Sequence, residues 1–131
     1  METQGGDRCP FCNDFTAGRE IVHEKGNFFM RWDHYPVADG HLLVIPKRHV
    51  QYFSELSVEE TESLGVAIKA AIDLVRAKVG PDAVNIGIND GPAAGQTVPH
   101  LHVHIIPRRV GDVVDPRGGV RGVIPGKAKY R

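Results

Sequence analysis

Leu64, Ala67, Ile68, Ala71, Ile72 and Val75 recur at steps of three and four residues, which places them on one face of a helix. Upstream, Ser57-Val58-Glu59-Glu60 has the form of a capping box. The Ser57 side chain can accept from the Glu60 backbone while the Glu60 carboxylate reaches back to the Ser57 backbone. Gly80-Pro81 ends the pattern, because a glycine closes a helix and a proline cannot continue it. The chain therefore predicts one long helix, covering a sheet.

Shorter patterns predict that sheet. Residues 20–23 and 27–33 flank Lys25-Gly26, where the glycine supplies turn geometry for a hairpin. Residues 41–45 form a strongly apolar run closed by Pro46, as in a buried strand. Residues 83–88 read as a further strand, followed by a tight loop rich in Gly and Pro at residues 89–96. From His100 to Ile106 the pattern has period two. His100, His102, His104 and Ile106 share one face, and Leu101, Val103 and Ile105 the other. The apolar face is expected to pack under the helix, with the histidines looking outward. The tail, residues 111–131, has little periodicity and is expected to wrap the surface or a partner subunit.

The 131 residues suit a single domain, taken as 1–131, with no internal repeat and no linker. Sixteen Lys and Arg balance sixteen Asp and Glu, so no net field gathers nucleic acid or an anionic membrane, and anion binding must be local. The start, Met1 to Arg8, is polar, and the longest aliphatic run, residues 42–45, is far short of the roughly 20 residues a membrane span requires. A soluble, cytoplasmic protein is expected, with no nucleic-acid or membrane partner. Cys9 and Cys12 stand close together, a spacing that favours metal binding or redox chemistry over a secreted disulfide framework.

Residues on one face of a strand repeat at about 6.6 to 7 Å, so His102 has a histidine on each side at a reach suited to linked phosphates. Shared metal ligation is a competing reading, since neutral imidazole is a common ligand. A polar strand face without a role is a third. The preceding loop favours the anion reading. Gly91 and Gly95 permit close backbone approach, and their amides with Gln96 and Thr97 can cradle phosphate oxygens without a formal charge.

The stretch Asn89-Asp90-Gly91-Pro92-Ala93-Ala94-Gly95-Gln96-Thr97-Val98-Pro99-His100-Leu101-His102-Val103-His104-Ile105-Ile106 resembles the signature of the histidine-triad (HIT) superfamily, His-φ-His-φ-His-φ-φ with φ apolar. The similarity extends to Asp33 and to Gly40-His41-Leu42-Leu43-Val44-Ile45-Pro46-Lys47-Arg48-His49. The tail segment Asp115-Pro116-Arg117-Gly118-Gly119-Val120 resembles bacterial members described as diadenosine polyphosphate hydrolases. The resemblance implies an α+β, HIT-like fold with an antiparallel sheet of about five strands and one main helix, and a homodimer.

It also implies roles. His102 would attack the α-phosphorus, and chemistry agrees, since a neutral imidazole is nucleophilic near pH 7 once a hydrogen bond at its other nitrogen fixes the tautomer. A backbone carbonyl of the glycine-containing loop is the expected partner. His104 would hydrogen-bond the reacting phosphate or the leaving group, Gln96 and Thr97 would orient its oxygens, and Asn89 would contact the phosphate region. Asp33 would accept from the ribose hydroxyls. Read without the family, Gln96 and Thr97 are equally loop residues, Asp33 is more often a turn residue at a strand end, and Asn89 is a strand-end cap. Trp32 and Phe11 are candidates for the base pocket, with plain core packing as the alternative. His23, His34 and His41 are expected to be surface or structural.

Two cysteines do not close a tetrahedron. In the branch that carries this pair, the resemblance implies a structural zinc held by Cys9, Cys12, His49 and His100, which removes His100 from direct chemistry and leaves no catalytic metal. Buried reduced thiols or a redox pair are the alternatives. The expected reaction is hydrolysis of dinucleoside polyphosphates such as diadenosine tetraphosphate, through a nucleotidyl-His102 intermediate that releases a nucleoside monophosphate. Cleavage of adenosine phosphoramidates or aminoacyl adenylates is the runner-up. Nucleotidyl transfer ranks lower, because the transferase branch has His-Pro-His where Pro99 here precedes the triad. A non-catalytic nucleotide-binding or zinc-dependent interaction module is the reading from another class.

Overall fold

The Ser57 hydroxyl accepts from the Glu60 amide at 3.0 Å and the Glu60 carboxylate from the Ser57 amide at 2.7 Å, so the capping box opens the long helix where the sequence placed it. The computed structural model describes residues 9–130; the polar start lies outside the described residues. Within them the elements run α1 (Pro10–Ala17), β1 (His23–Lys25), β2 (Phe28–Trp32), β3 (Leu42–Pro46), α2 (Val58–Val79), β4 (Ala83–Ile88) and β5 (Val103–Arg108).

The five strands form one antiparallel sheet in the order β1-β2-β3-β5-β4. Gly26 turns the β1–β2 hairpin at φ 58°. The first strand is displaced from residues 20–23 to His23–Lys25, because pairing with β2 fixes the register and sets His23 opposite Met30. Phe28, Met30, Leu42, Val44, Val103 and Ile105 face α2, where they meet Leu64, Ala67, Ala71 and Val75. The alanines let the helix approach the sheet closely. Each fully buried large aliphatic side chain contributes about 1.5–3 kcal/mol.

Phe29, Leu43 and Ile45 point to the other face, against Cys9 and Phe11. β2 and β3 are thus covered on both sides, which is why their sequences are continuous apolar runs. The cover on this second face is α1, which periodicity did not predict. It is eight residues long, too short to hold itself together in water. Its ends are set by Cys9, whose sulfur accepts from the Cys12 amide at 3.3 Å, and by Gly18 at φ 70°. Its fastening is tertiary: Phe15 stacks on Phe29 at 5.2 Å, and Asp14 pairs with the buried Arg31. The sheet is therefore sandwiched between two helices of very unequal length.

Two expectations about the histidine segment are corrected. The strand begins at Val103, because the His100 amide donates to Val98 at 2.8 Å and the Leu101 amide to Val50 at 2.7 Å. The histidines do not look out into water, since α1 and the loop before β5 cover them: His100 is 0% exposed and His102 9%. The tail carries a short turn, Gly119–Val123, that packs on β4. Among the described residues no helix is long and apolar enough to cross a membrane.

Candidate active site

Three backbone contacts assign a proton to each triad histidine. His100 Nε2 lies 2.9 Å from the carbonyl of Pro46 at the end of β3, so Nε2–H donates and Nδ1 keeps its lone pair. His102 Nδ1 lies 2.8 Å from the carbonyl of His100, which fixes the opposite tautomer and leaves the lone pair on Nε2. The partner is thus the carbonyl of the neighbouring triad residue, not one of the glycine loop.

His104 is set through an intermediary. The Val37 amide donates to His41 Nδ1 at 3.2 Å, so the neutral His41 ring carries its proton on Nε2. That nitrogen sits 2.9 Å from His104 Nδ1 and 3.3 Å from the Asp33 carboxylate. His104 Nδ1 therefore accepts, and His104 Nε2–H remains as a donor. His41 is 3% exposed. The surface reading of His41 is corrected, and the structural one stands; the signal was a polar residue at the head of an otherwise apolar run.

Burial keeps these rings neutral near pH 7. It lowers His102 and His41 below the ordinary imidazole value, and it holds His104 down at about 4, where repulsion from His102 and His41 adds to it. The site therefore presents a lone pair at His102 and an N–H at His104, with the two rings 5.0 Å apart. That pairing suits attack on an electrophilic centre whose oxygens need a donor.

Both histidines line a cavity of about 520 Å³ with Phe11, Arg31, Asp33 and Thr97. Phe11 packs edge-on against His102 at 5.1 Å and His100 at 5.7 Å. Arg31 is a further site residue that sequence reading missed. It is buried, its charge is balanced by Asp14, and its guanidinium lies 4.9 Å from the Phe11 ring centre, so the ion pair backs Phe11 at the cavity wall. Asp33 accepts from the Tyr35 amide at 2.8 Å, an Asx turn, while remaining in the cavity lining. Asn89 is half-buried in the lining and Thr97 is exposed at its rim.

Three candidates are placed elsewhere or occupied. Trp32 lies on the α2 face, packed against the core there with the Lys78 ammonium 4.9 Å from its ring, because odd and even residues of β2 face opposite ways. It does not reach the base side of the cavity. Gln96 is committed to backbone: it accepts from the Gly91 amide at 3.0 Å and donates to the Gln51 carbonyl at 3.1 Å. The expected amide cradle is likewise spent inside the loop, where Gly95 donates to Pro92 and Gln96 to Gly91. His34 pairs with Glu20 at the surface, and His23 is exposed on β1.

Beneath the triad, Cys9, Cys12, His49 and His100 converge, with one ligand atom from each within 4.8 Å of all the others. His100 Nδ1, freed by the Pro46 bond, lies 3.2 Å from the Cys9 sulfur, 3.5 Å from that of Cys12 and 3.0 Å from His49 Nδ1. A tetrahedral ion with metal–sulfur bonds of about 2.3 Å and metal–nitrogen bonds of about 2.0 Å sets its ligands roughly 3.3–3.8 Å apart. The cluster fits such an ion with a small expansion. A second grouping, Asp33, His41 and His104, is accounted for by its hydrogen bonds.

Comparison with known proteins agrees with this geometry. The HIT domain family model matches residues 16–111. A bis(5'-nucleosyl)-tetraphosphatase (asymmetrical) of Schizosaccharomyces pombe is 44% identical over 77 residues, 59% of this chain and 42% of that protein. A bifunctional bis(5'-adenosyl)-triphosphatase/adenylylsulfatase of Arabidopsis thaliana is 39% identical over 77% of this chain and 59% of its own length. The chain thus spans roughly half the length of these curated relatives. A solved zinc-bound histidine triad family protein from Mycobacterium smegmatis superposes with a TM-score of 0.72 at 34% identity, covering 82% of this chain and 79% of that one.

Proposed function

The chain belongs to the HIT domain family, and from that premise we propose that it hydrolyses dinucleoside polyphosphates at the α-phosphate through a covalent bond to His102. The observation that carries this reading is the fixed pair of tautomers, a lone pair on His102 Nε2 beside a donor on His104 Nε2. In the first step His102 Nε2 attacks the α-phosphorus. The new P–N bond forms as the bond to the bridging oxygen breaks, and that oxygen leaves with the remaining polyphosphate, receiving a hydrogen bond from His104. In the second step water attacks phosphorus, the P–N bond breaks, a nucleoside monophosphate departs and the water's proton passes to solvent.

The other residues bind and orient. Asp33 and Phe11 face the nucleoside end, the Arg31–Asp14 ion pair backs Phe11 at the cavity wall, and Thr97 and Asn89 meet the phosphate oxygens at its rim. His41 positions His104. Zinc, when bound by Cys9, Cys12, His49 and His100, supplies no chemistry to substrate and ties α1 to the sheet beneath the triad. The names of the tetraphosphatase and triphosphatase relatives support the substrate class, and the zinc-bound solved relative supports the metal.

A cytoplasmic homodimer is the setting of this reading. The Cys9–Cys12 spacing, which favours metal binding over a disulfide framework, suits a reducing compartment, and the exposed Val114, Val123 and Ile124 of the tail suit burial against a second copy, which sedimentation would measure. For the chemistry, His102→Asn is expected to abolish turnover of diadenosine tetraphosphate while binding persists, and label from the substrate's adenylyl group is expected on the wild-type histidine after quenching. Unchanged turnover in the variant would refute the assignment. A parallel assay with an adenosine phosphoramidate separates the two leaving-group classes that the same atoms can serve.

A further inference from the structure

A second cavity, of about 640 Å³, adjoins the one around His102, with Val37, His41, Asn89 and His104 in the lining of both. That volume is of the size that holds a small organic ligand. Its floor is the outer face of β4 and β5, including Gly87, Ile106 and Arg108, and its roof is the tail, through Val113 and Val120.

One register position stands beside the ring that both cavities share. Gly87 pairs directly with His104, so both lie on the same face of the sheet. A Cβ built at Gly87 meets nothing within 4 Å, and the backbone there is not in the left-handed region. The glycine is not required by the strand. Its effect is to leave the floor bare beside the donor ring, so that a group bonded to the far side of a phosphate at His104 has an open path onto β4.

The walls indicate what enters. Arg108 is held by Asn85 at 2.6 Å and by Asp112 at 2.7 and 2.8 Å, so its charge is already balanced. With Ile106, Val113 and Val120 around it, the cavity offers apolar surface and amide groups, which suit an uncharged flat group better than free phosphate. Resting on the hydrolase reading above, we propose that this second cavity is the subsite for the nucleoside of the leaving half of a dinucleoside polyphosphate, with its phosphates crossing the bare floor at Gly87.

The test uses two substrates that share the adenylyl group: diadenosine tetraphosphate, whose leaving group would fill the cavity, and adenosine 5′-phosphoramidate, whose leaving group is too small to reach it. Gly87→Val raises the floor and Val120→Asp places a charge in the roof on an already exposed turn residue. Each is expected to lower kcat/KM for diadenosine tetraphosphate about tenfold and to leave that for the phosphoramidate within about twofold. Should Gly87→Val fail to fold, Val120→Asp alone decides. Equal losses on both substrates, or no loss on the dinucleotide, overturns the subsite. A wild-type protein that cleaves only the phosphoramidate also overturns it while the His102 chemistry stands, and one that cleaves neither overturns the hydrolase reading together with the subsite.

Discussion

Val103 and Ile105 on β5 sink into the contact with α2, whereas His104 and, just before the strand, His102 and His100 occupy the opposite side, near α1. The two sides are buried by different means. Under α2 the contacts are between apolar side chains, non-directional, and any side chain of fitting volume would serve. Under α1 the buried groups include Asp14, Arg31, His41, His100 and His102. A buried polar group costs free energy unless a partner meets it at the right distance and angle. Those partners, chiefly carbonyls and neighbouring rings, orient the histidines as a by-product of satisfying them. One face of the sheet is therefore expected to govern stability and the other reactivity.

That division is open to direct attack. An effect second only to that of His102→Asn is expected from His104→Asn, which should lower kcat on a cleavable nucleotide by about 10²- to 10⁴-fold, as loss of a positioned proton-bearing group does, with little change in Tm. A fall in Tm with unchanged kcat would show that the ring serves packing. Leu42→Ala, on the α2 face, should cost about 2–5 kcal/mol of stability in denaturant unfolding and leave kcat of the folded fraction unchanged. If kcat collapsed with it, the two faces would not be separable.

Metal content probes the region between them. Cys12→Ser should reduce bound zinc by elemental analysis and lower Tm. A chelator should lower the Tm of the wild type and leave that of the variant where it is. Equal zinc in both proteins would reject the ligand set. The smallest effect belongs to Glu60, which its bond to Arg48 and the Ser57 contacts hold down at about 2 from an ordinary 4.5. Because the folded value is depressed, its stabilisation is present above about 4.5 and is lost as pH falls toward about 2. Arg48 is 55% exposed, so the term is on the order of 1 kcal/mol after screening. Glu60→Gln should flatten the dependence of Tm on pH in that window, and an unaltered slope would assign acid sensitivity to other groups.

Signals complete within a few residues were legible from the sequence. The Ser57 capping box, the spacing along α2, β4 and the hairpin glycine all appear in place. The triad was legible as a pattern, with His102 and His104 brought to one cavity and Cys9, Cys12, His49 and His100 to one cluster. What burial decided was the choice between open readings. Trp32 is as open to core packing as to the pocket by its ring chemistry, and strand parity sends it to the α2 face. Gln96 is as open to a loop role as to phosphate, and a loop that turns at Gly91 and Gly95 takes its amide to satisfy backbone groups.

The sequence by itself determined the elements with local codes and the alternation of the three histidines, because caps, periodicity and spacing act over distances the chain spans on its own. Only the tertiary structure decided that α1 exists and lies over the histidines, that His41 stands between Asp33 and His104, and that Gly87 lies beside His104 in the floor of the second cavity. Each of these depends on segments far apart in the chain meeting across the sheet. Directional partners, and hence tautomers, exist only once those distances close.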